Sequence, residues 1–253
     1  MHNANMNPPW LVSFGVLLVM ATLIHFLFAG VIRPNAELAL AASGTAGMSS
    51  LSVIFKDYEQ QICVTLMLFC LFLMGYKLWK LLGEEGIYAY DYLEDFDKSE
   101  PLDIKAALTS LQASDYAHTP AMTTWINCLT RFHHTSNVQH AAEAISASID
   151  TLAMQLESGN NMIKYIIWAI PSIGFVGTVR GIGQALTQAD QALAGDISGM
   201  TASLGVAFNS TLVALLISLL LMLVLHVLHN RQDRMLLRTQ ASCENNLLSH
   251  LHN

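Results

Sequence analysis

The sequence predicts an all-α, polytopic membrane protein: four transmembrane helices, with a helical cytoplasmic domain between the second and the third. Three observations carry this. Apolar residues make up 53% of the chain against 12% charged, and the mean hydropathy is +0.42, a balance that soluble domains rarely show. Four stretches are apolar over the roughly 20 residues that a bilayer crossing requires. The long interval between the second and third stretches carries instead an apolar repeat in steps of three and four.

Residues 1–9 are read as a short cytoplasmic N-terminus, and residues 10–32 as the first span, in which His25 is the one ionisable residue. No basic residue precedes this segment and it is too long for the core of a signal peptide, so it is read as retained. Residues 33–60, rich in Ala, Ser and Gly, offer little apolar surface and are expected to form a periplasmic loop. The second span covers 61–82; Lys77 and Lys80 at its end are expected to snorkel toward lipid headgroups beside Tyr76 and Trp79.

Residues 83–161 read as the cytoplasmic helical domain. Helix starts are expected at Ser99 or Glu100 before Pro101 and at Thr119 before Pro120, because proline fits the first helical turn. Val138, Ala142, Ile145, Ile149, Leu152 and Leu156 then form a seam too short for a coiled coil, and a break is expected at Gly159, Asn160 and Asn161. The net charge of −7 is concentrated in Glu84, Glu85, Asp91, Glu94, Asp95, Asp97 and Glu100. Such a run is read as a solvated face, and nucleic acid is not an expected partner.

The third span, 162–182, is bracketed by Lys164 and Arg180, and 183–200 form a second periplasmic loop. The fourth, 201–228, lies inside the uncharged stretch Ile197–Asn230. As one helix that stretch measures roughly 50 Å against a hydrocarbon core of about 30 Å, so it is expected to protrude into a C-terminal cytoplasmic helix, 229–253. Lys77, Lys80, Lys164, Arg231, Arg234 and Arg238 on one side, against Arg33, Lys56 and Arg180 on the other, place both termini in the cytoplasm.

The third and fourth spans each carry a stripe of small and hydroxyl residues. Gly174, Thr178, Gly181 and Ala185 share one helical face, as do Ala207, Thr211, Ala214 and Ser218. In lipid such stripes serve either close helix packing or a water path, and neither span holds an acidic residue.

Other chemistry finds little support. The four cysteines are read as thiols: Cys63 and Cys70 within the second span, Cys128 and Cys243 facing a reducing cytoplasm. His133, His134 and His140 are read as surface residues, His226 and His229 as interacting with the end of the last span, and His25 as a packed neutral group. No metal set and no cofactor is expected. HExxH, GxSxG and Walker motifs are absent, the GTVRGIG stretch follows no strand, and no intramembrane aspartate pair occurs. An enzyme is not the expected reading.

The segment Ile170–Ile182, reading IPSIGFVGTVRGI, resembles the P-x-x-G-[LF]-[LIV]-G-T-V-x-G-I signature of the MotA/TolQ/ExbB ion-channel family. Ala207–Leu215, AFNSTLVAL, is similar to the pattern of that family's last helix. The resemblance covers about 138–228, and the four-helix layout resembles MotA more than the three-helix members. It implies a homo-pentamer in the bacterial inner membrane, surrounding a dimer of a single-span MotB/TolR/ExbD-like partner that supplies an essential membrane Asp. It also implies that Thr178 and Thr211 form the ion pathway, with Gly174, Gly181, Ala185, Ala207, Ala214 and Ser218 as the pore-lining stripe. Protons, or sodium ions, would move past them and drive work on the partner; protons are the preferred reading.

Arg180 departs from the signature, where Trp or an apolar residue is usual. It is expected either to snorkel outward, the preferred reading, or to sit at the pore mouth. The cytoplasmic loop between the second and third spans has Arg131 as its only arginine, which favours an envelope energiser similar to TolQ or ExbB over a flagellar-type stator. The rival from another class is a structural homo-oligomeric scaffold whose stripes only pack.

Overall fold

The computed structural model describes residues 6–43, 50–83, 103–114, 116–248 and 251. Within them the protein is helical throughout, without a strand. Ten α-helices follow in chain order: α1 (Trp10–Leu27), α2 (Arg33–Ser43), α3 (Leu51–Ile54), α4 (Tyr58–Gly83), α5 (Ile104–Ala113), α6 (Pro120–Thr135), α7 (Val138–Gly159), α8 (Asn161–Leu186), α9 (Ala189–Leu193) and α10 (Ser198–Ser242). Four helical stretches, Trp10–Ala42, Tyr58–Gly83, Val138–Leu186 and Ser198–Leu247, are long and apolar enough to cross a membrane. The chain is a helical membrane protein. It divides into two compact units, one formed by Pro8–Met74 and Met162–His226, the other by Met1–Asn7, Gly75–Asn161 and Val227–Asn253.

In the first unit, α1 runs on through a π-helical turn, Phe28–Ile32, into α2. The cause is local: Pro34 cannot donate to the Gly30 carbonyl, and its ring crowds that turn, so the helix loosens there. Residues 36–42, Ala-Glu-Leu-Ala-Leu-Ala-Ala, are strong helix formers. Helix therefore occupies much of the segment that was expected to be a loop. Arg33 ties this region to the start of α4: its Nε donates to the Lys56 carbonyl at 3.3 Å and its terminal nitrogen to Gln61 Oε1 at 2.8 Å. The guanidinium also lies over the Tyr58 ring, 4.1 Å from its centre. His25 is exposed and meets the Gln61 amide nitrogen at 3.2 Å, so it is not the packed group its depth predicted.

Pro171 interrupts α8 and leaves the Ile167 carbonyl without its helical donor. Ser218 of α10 supplies the missing bond, its hydroxyl donating to Ile167 O at 3.2 Å. Helices in lipid tolerate proline on this condition, that a neighbour satisfies the freed carbonyl. On the other flank the Cys63 thiol of α4 donates to Ile170 O at 3.8 Å.

In the second unit each helix start has its cap. Asp103 accepts from the Lys105 and Ala106 amides, Thr119 from Met122 with Pro120 in the first turn, and Asn137 from Gln139 and His140. The acidic run and Ser99, Glu100 and Pro101 lie outside the described residues. Trp125, Cys128 and Leu129 of α6 form the centre of a core with Leu111 of α5, Ile145 and Ile149 of α7, and Cys243, Leu247 and Leu251. A smaller cluster joins Met6, Leu81, Ala121, Leu152, Leu156 and Met235. The α7 seam is the expected one except that Ala141, not Ala142, is buried and Val138 is only partly buried.

The break between α7 and α8 falls at Asn160. Here Lys77 departs from expectation: it is 1% exposed, and its ammonium donates to Gly159 O and Asn160 Oδ1, each at 2.8 Å. The Asn160 amide in turn donates to Gln232 Oε1 of α10 at 2.8 Å. A cation placed on the last carbonyls of α7 satisfies groups that the helix end leaves unbonded. That local partner is why Lys77 does not reach for headgroups.

Candidate functional site: a threonine pair between two closely packed helices

The third and fourth spans approach backbone to backbone because α8 carries glycine wherever α10 comes nearest. A Cβ built on Gly181 would lie 2.8 Å from both the backbone nitrogen and the Cβ of Ala207, and one on Gly177 would lie 2.6 Å from Ser210 Oγ. Gly174 faces Ser210 and Ala214 with equally little room. Gly174, Gly181, Ala185, Ala207, Ala214 and Ser218 are all buried within the chain. The two stripes meet each other, and Ser218 serves the carbonyl freed by Pro171.

The close approach leaves two hydroxyls face to face. Thr178 and Thr211, both half-buried, are in direct hydrogen-bond contact through their Oγ1 atoms. Thr178 Oγ1 also lies 3.1 Å from Ala207 O and 3.3 Å from Gly174 O, and Thr211 Oγ1 lies 3.4 Å from Gly174 O. Each hydroxyl has one proton to donate and two lone pairs to accept with, so two protons are shared among more acceptors than they can satisfy at once. Such a cluster can pass a proton by reorientation or present several oxygens to a cation.

Arg180, one turn beyond Gly177 on α8, turns toward the start of α4. Its terminal nitrogen lies 2.8 Å from Glu59 Oε2 and 3.6 Å from Asp57 Oδ1. The preferred expectation of outward snorkelling is replaced by an ion pair. Burial pushes the Asp57 carboxyl above its ordinary range, against the opposing pull of Lys56 and Arg180. The Gln60 amide, fully buried, donates to Ser210 Oγ at 3.3 Å.

Sequence reasoning found Thr178, Thr211 and Arg180 but missed Asp57, Glu59 and Gln60. The available signal was three consecutive-region polar residues, two of them acidic, at the head of an apolar span, where ionisable groups need partners. Among the described residues no cluster of three His, Cys, Asp or Glu side chains is suited to hold a metal ion.

Outside the threonine pair, α8 and α10 present Trp168, Phe175, Val179, Phe208, Leu215 and Leu219 on exposed apolar surface. The model of the MotA/TolQ/ExbB proton channel family matches residues 113–241, half of the chain and all of α6 to α9 with nearly all of α10. Comparison with curated proteins and with solved structures gave no match. On the strength of the family match, which spans both helices that hold the threonine pair, the chain belongs to the MotA/TolQ/ExbB proton channel family.

Proposed function

We propose that the protein is the ion-conducting subunit of an inner-membrane motor that couples proton motive force to mechanical work on a single-span partner. The observation that carries this is the Thr178–Thr211 hydroxyl pair, set at the closest approach of α8 and α10, in spans that contain no carboxylate of their own. A relay of hydroxyls moves no proton by itself. It needs a titratable group beside it, and an Asp on a MotB/TolR/ExbD-like partner helix is the group that fits.

In this reading five copies surround a dimer of the partner, both termini lie in the cytoplasm, and the exposed apolar faces of α8 and α10 meet neighbouring subunits, the partner and lipid. The small residues of the two stripes hold the hydroxyl pair in place. Membrane potential is sufficient for the work: one charge crossing 100 mV releases about 2.3 kcal/mol.

A scaffold reading has one observation in its favour, the burial of both stripes within a single chain. Flux separates the two. The native complex, purified with its partner and reconstituted in liposomes under a pH gradient, is expected to carry protons, and substitution of the partner's Asp by Asn is expected to abolish the flux. Absence of flux from the wild-type complex, after deletion of any plug on the partner, would favour the scaffold.

A further inference from the structure

Arg180 poses an electrostatic problem for a cation path, since it lies two residues from Thr178 on the same helix, on a different face but near enough for its charge to be felt. An uncompensated guanidinium there would repel protons and metal cations alike, by an amount that falls only slowly with distance in a poorly polarisable surrounding. The structure contains the remedy. Glu59 of α4 approaches Arg180 to 2.8 Å and Asp57 to 3.6 Å, from 121 residues away in sequence for Glu59. Glu59 is largely buried, and its Cγ lies 3.2 Å from where a Gly177 Cβ would stand, so the absence of a side chain at Gly177 lets it in.

The site is more polar than an ion pair alone requires. Asp57 Oδ2, Gln60 Oε1 and Arg180 Nε are buried without hydrogen-bond partners among the described residues, and Gln60 reaches Ser210 Oγ, which borders the same Gly177 position.

We propose that Glu59, assisted by Asp57, is a specificity-determining residue of the channel: it neutralises Arg180, so that the outer approach to the path accepts cations. This rests on the conducting role proposed above. Glu59 acts through Arg180 and is a positioning residue rather than a member of the relay.

The test is proton flux in liposomes containing the complex with its partner, comparing wild type, Glu59→Gln and the double substitution E59Q/R180Q. The single variant, which leaves Arg180 only its longer contact to Asp57, should lose flux by roughly tenfold. The double variant, with both charges gone, should return to within about twofold of wild type, the precision expected of such a charge-balance argument. The deficit of Glu59→Gln should also shrink as salt is raised toward 1 M, where charges are screened within about 3 Å, because the Arg180 side chain is 37% exposed. A packing defect would not respond to salt. Glu59→Gln flux equal to wild type, or a double variant no better than the single, would overturn the proposal while leaving the channel reading intact. Absence of flux in the wild type would overturn both. If Glu59→Gln does not assemble, the double variant still decides: assembly and flux in it support the pairing, and their absence overturns it.

Discussion

Thr178 has one hydroxyl proton and several oxygens within reach, and this excess of acceptors gives the residue its proposed use. Thr178→Ala and Thr211→Ala each remove a donor from the cluster while leaving a side chain small enough for the gap, so the oligomer should assemble as before. Flux should fall by roughly tenfold or more, the scale associated with loss of a positioned proton-transfer group, and Thr178→Ser should retain most of it. Measurement of proton uptake by liposomes, with size-exclusion chromatography as the assembly control, checks this. Gly181 shows the opposite sensitivity. A valine there has no space against the Ala207 backbone, and overpacking of this kind costs about 1–3 kcal/mol, so Gly181→Val should melt earlier in detergent whatever it does to flux. The stripes themselves were legible in the sequence, because a repeat of three and four residues marks a face. The occupant of that face was not. Glycine and alanine facing their own chain and facing a neighbour leave the same pattern, and only the tertiary packing of α8 on α10 distinguishes them.

Among the elements, the long apolar helices were the most legible, although the first runs on past its expected end. The Gly159–Asn160–Asn161 break and the cap at Thr119 follow from backbone chemistry that acts over four residues. Lys77 and the Glu59–Arg180 pair were not legible, because a lysine or arginine at a span boundary looks the same whether it snorkels or finds a partner far along the chain. Lys77 is the more consequential of the two for the fold. Its ammonium satisfies the end of α7 and, through Asn160, engages Gln232 of α10. Lys77→Met keeps the length of the side chain but leaves Gly159 O and Asn160 Oδ1 buried without a donor. Stranding a buried acceptor costs about 1–3 kcal/mol. The expected result is a lowered Tm and faster proteolysis at the α7–α8 junction, with the Glu59–Arg180 region unaffected; an unchanged Tm would mean that water replaces the ammonium there.

At the scale of the whole molecule, the placement of charge on α8 fits the orientation that the proposed motor needs. Lys164 and Arg180 are separated by a rise of roughly 24 Å, close to the thickness of the hydrocarbon core. In the orientation proposed above, which the basic residues beyond the ends of the spans favour, the Lys164 end faces the cytoplasm. A partner that delivers work across the envelope requires the Arg180 end to face outward. Cysteine labelling tests this with little background, because all four native thiols are buried and burial pushes the Cys128 thiol up to about 12. A thiol with a raised pKa stays protonated until the pH approaches that value, so near pH 8 Cys128 presents almost no thiolate, the form that attacks a maleimide. Alkylation of native cysteines should therefore be slow in the folded protein and rapid after denaturation. Against that quiet background, Gln184→Cys at the exposed end of α8 should react with a membrane-impermeant maleimide in cells with a permeable outer layer. Ser158→Cys, exposed at the end of α7, should react only after the inner membrane is opened. The reverse pattern would turn the whole chain over, and with it the direction in which protons and work could flow.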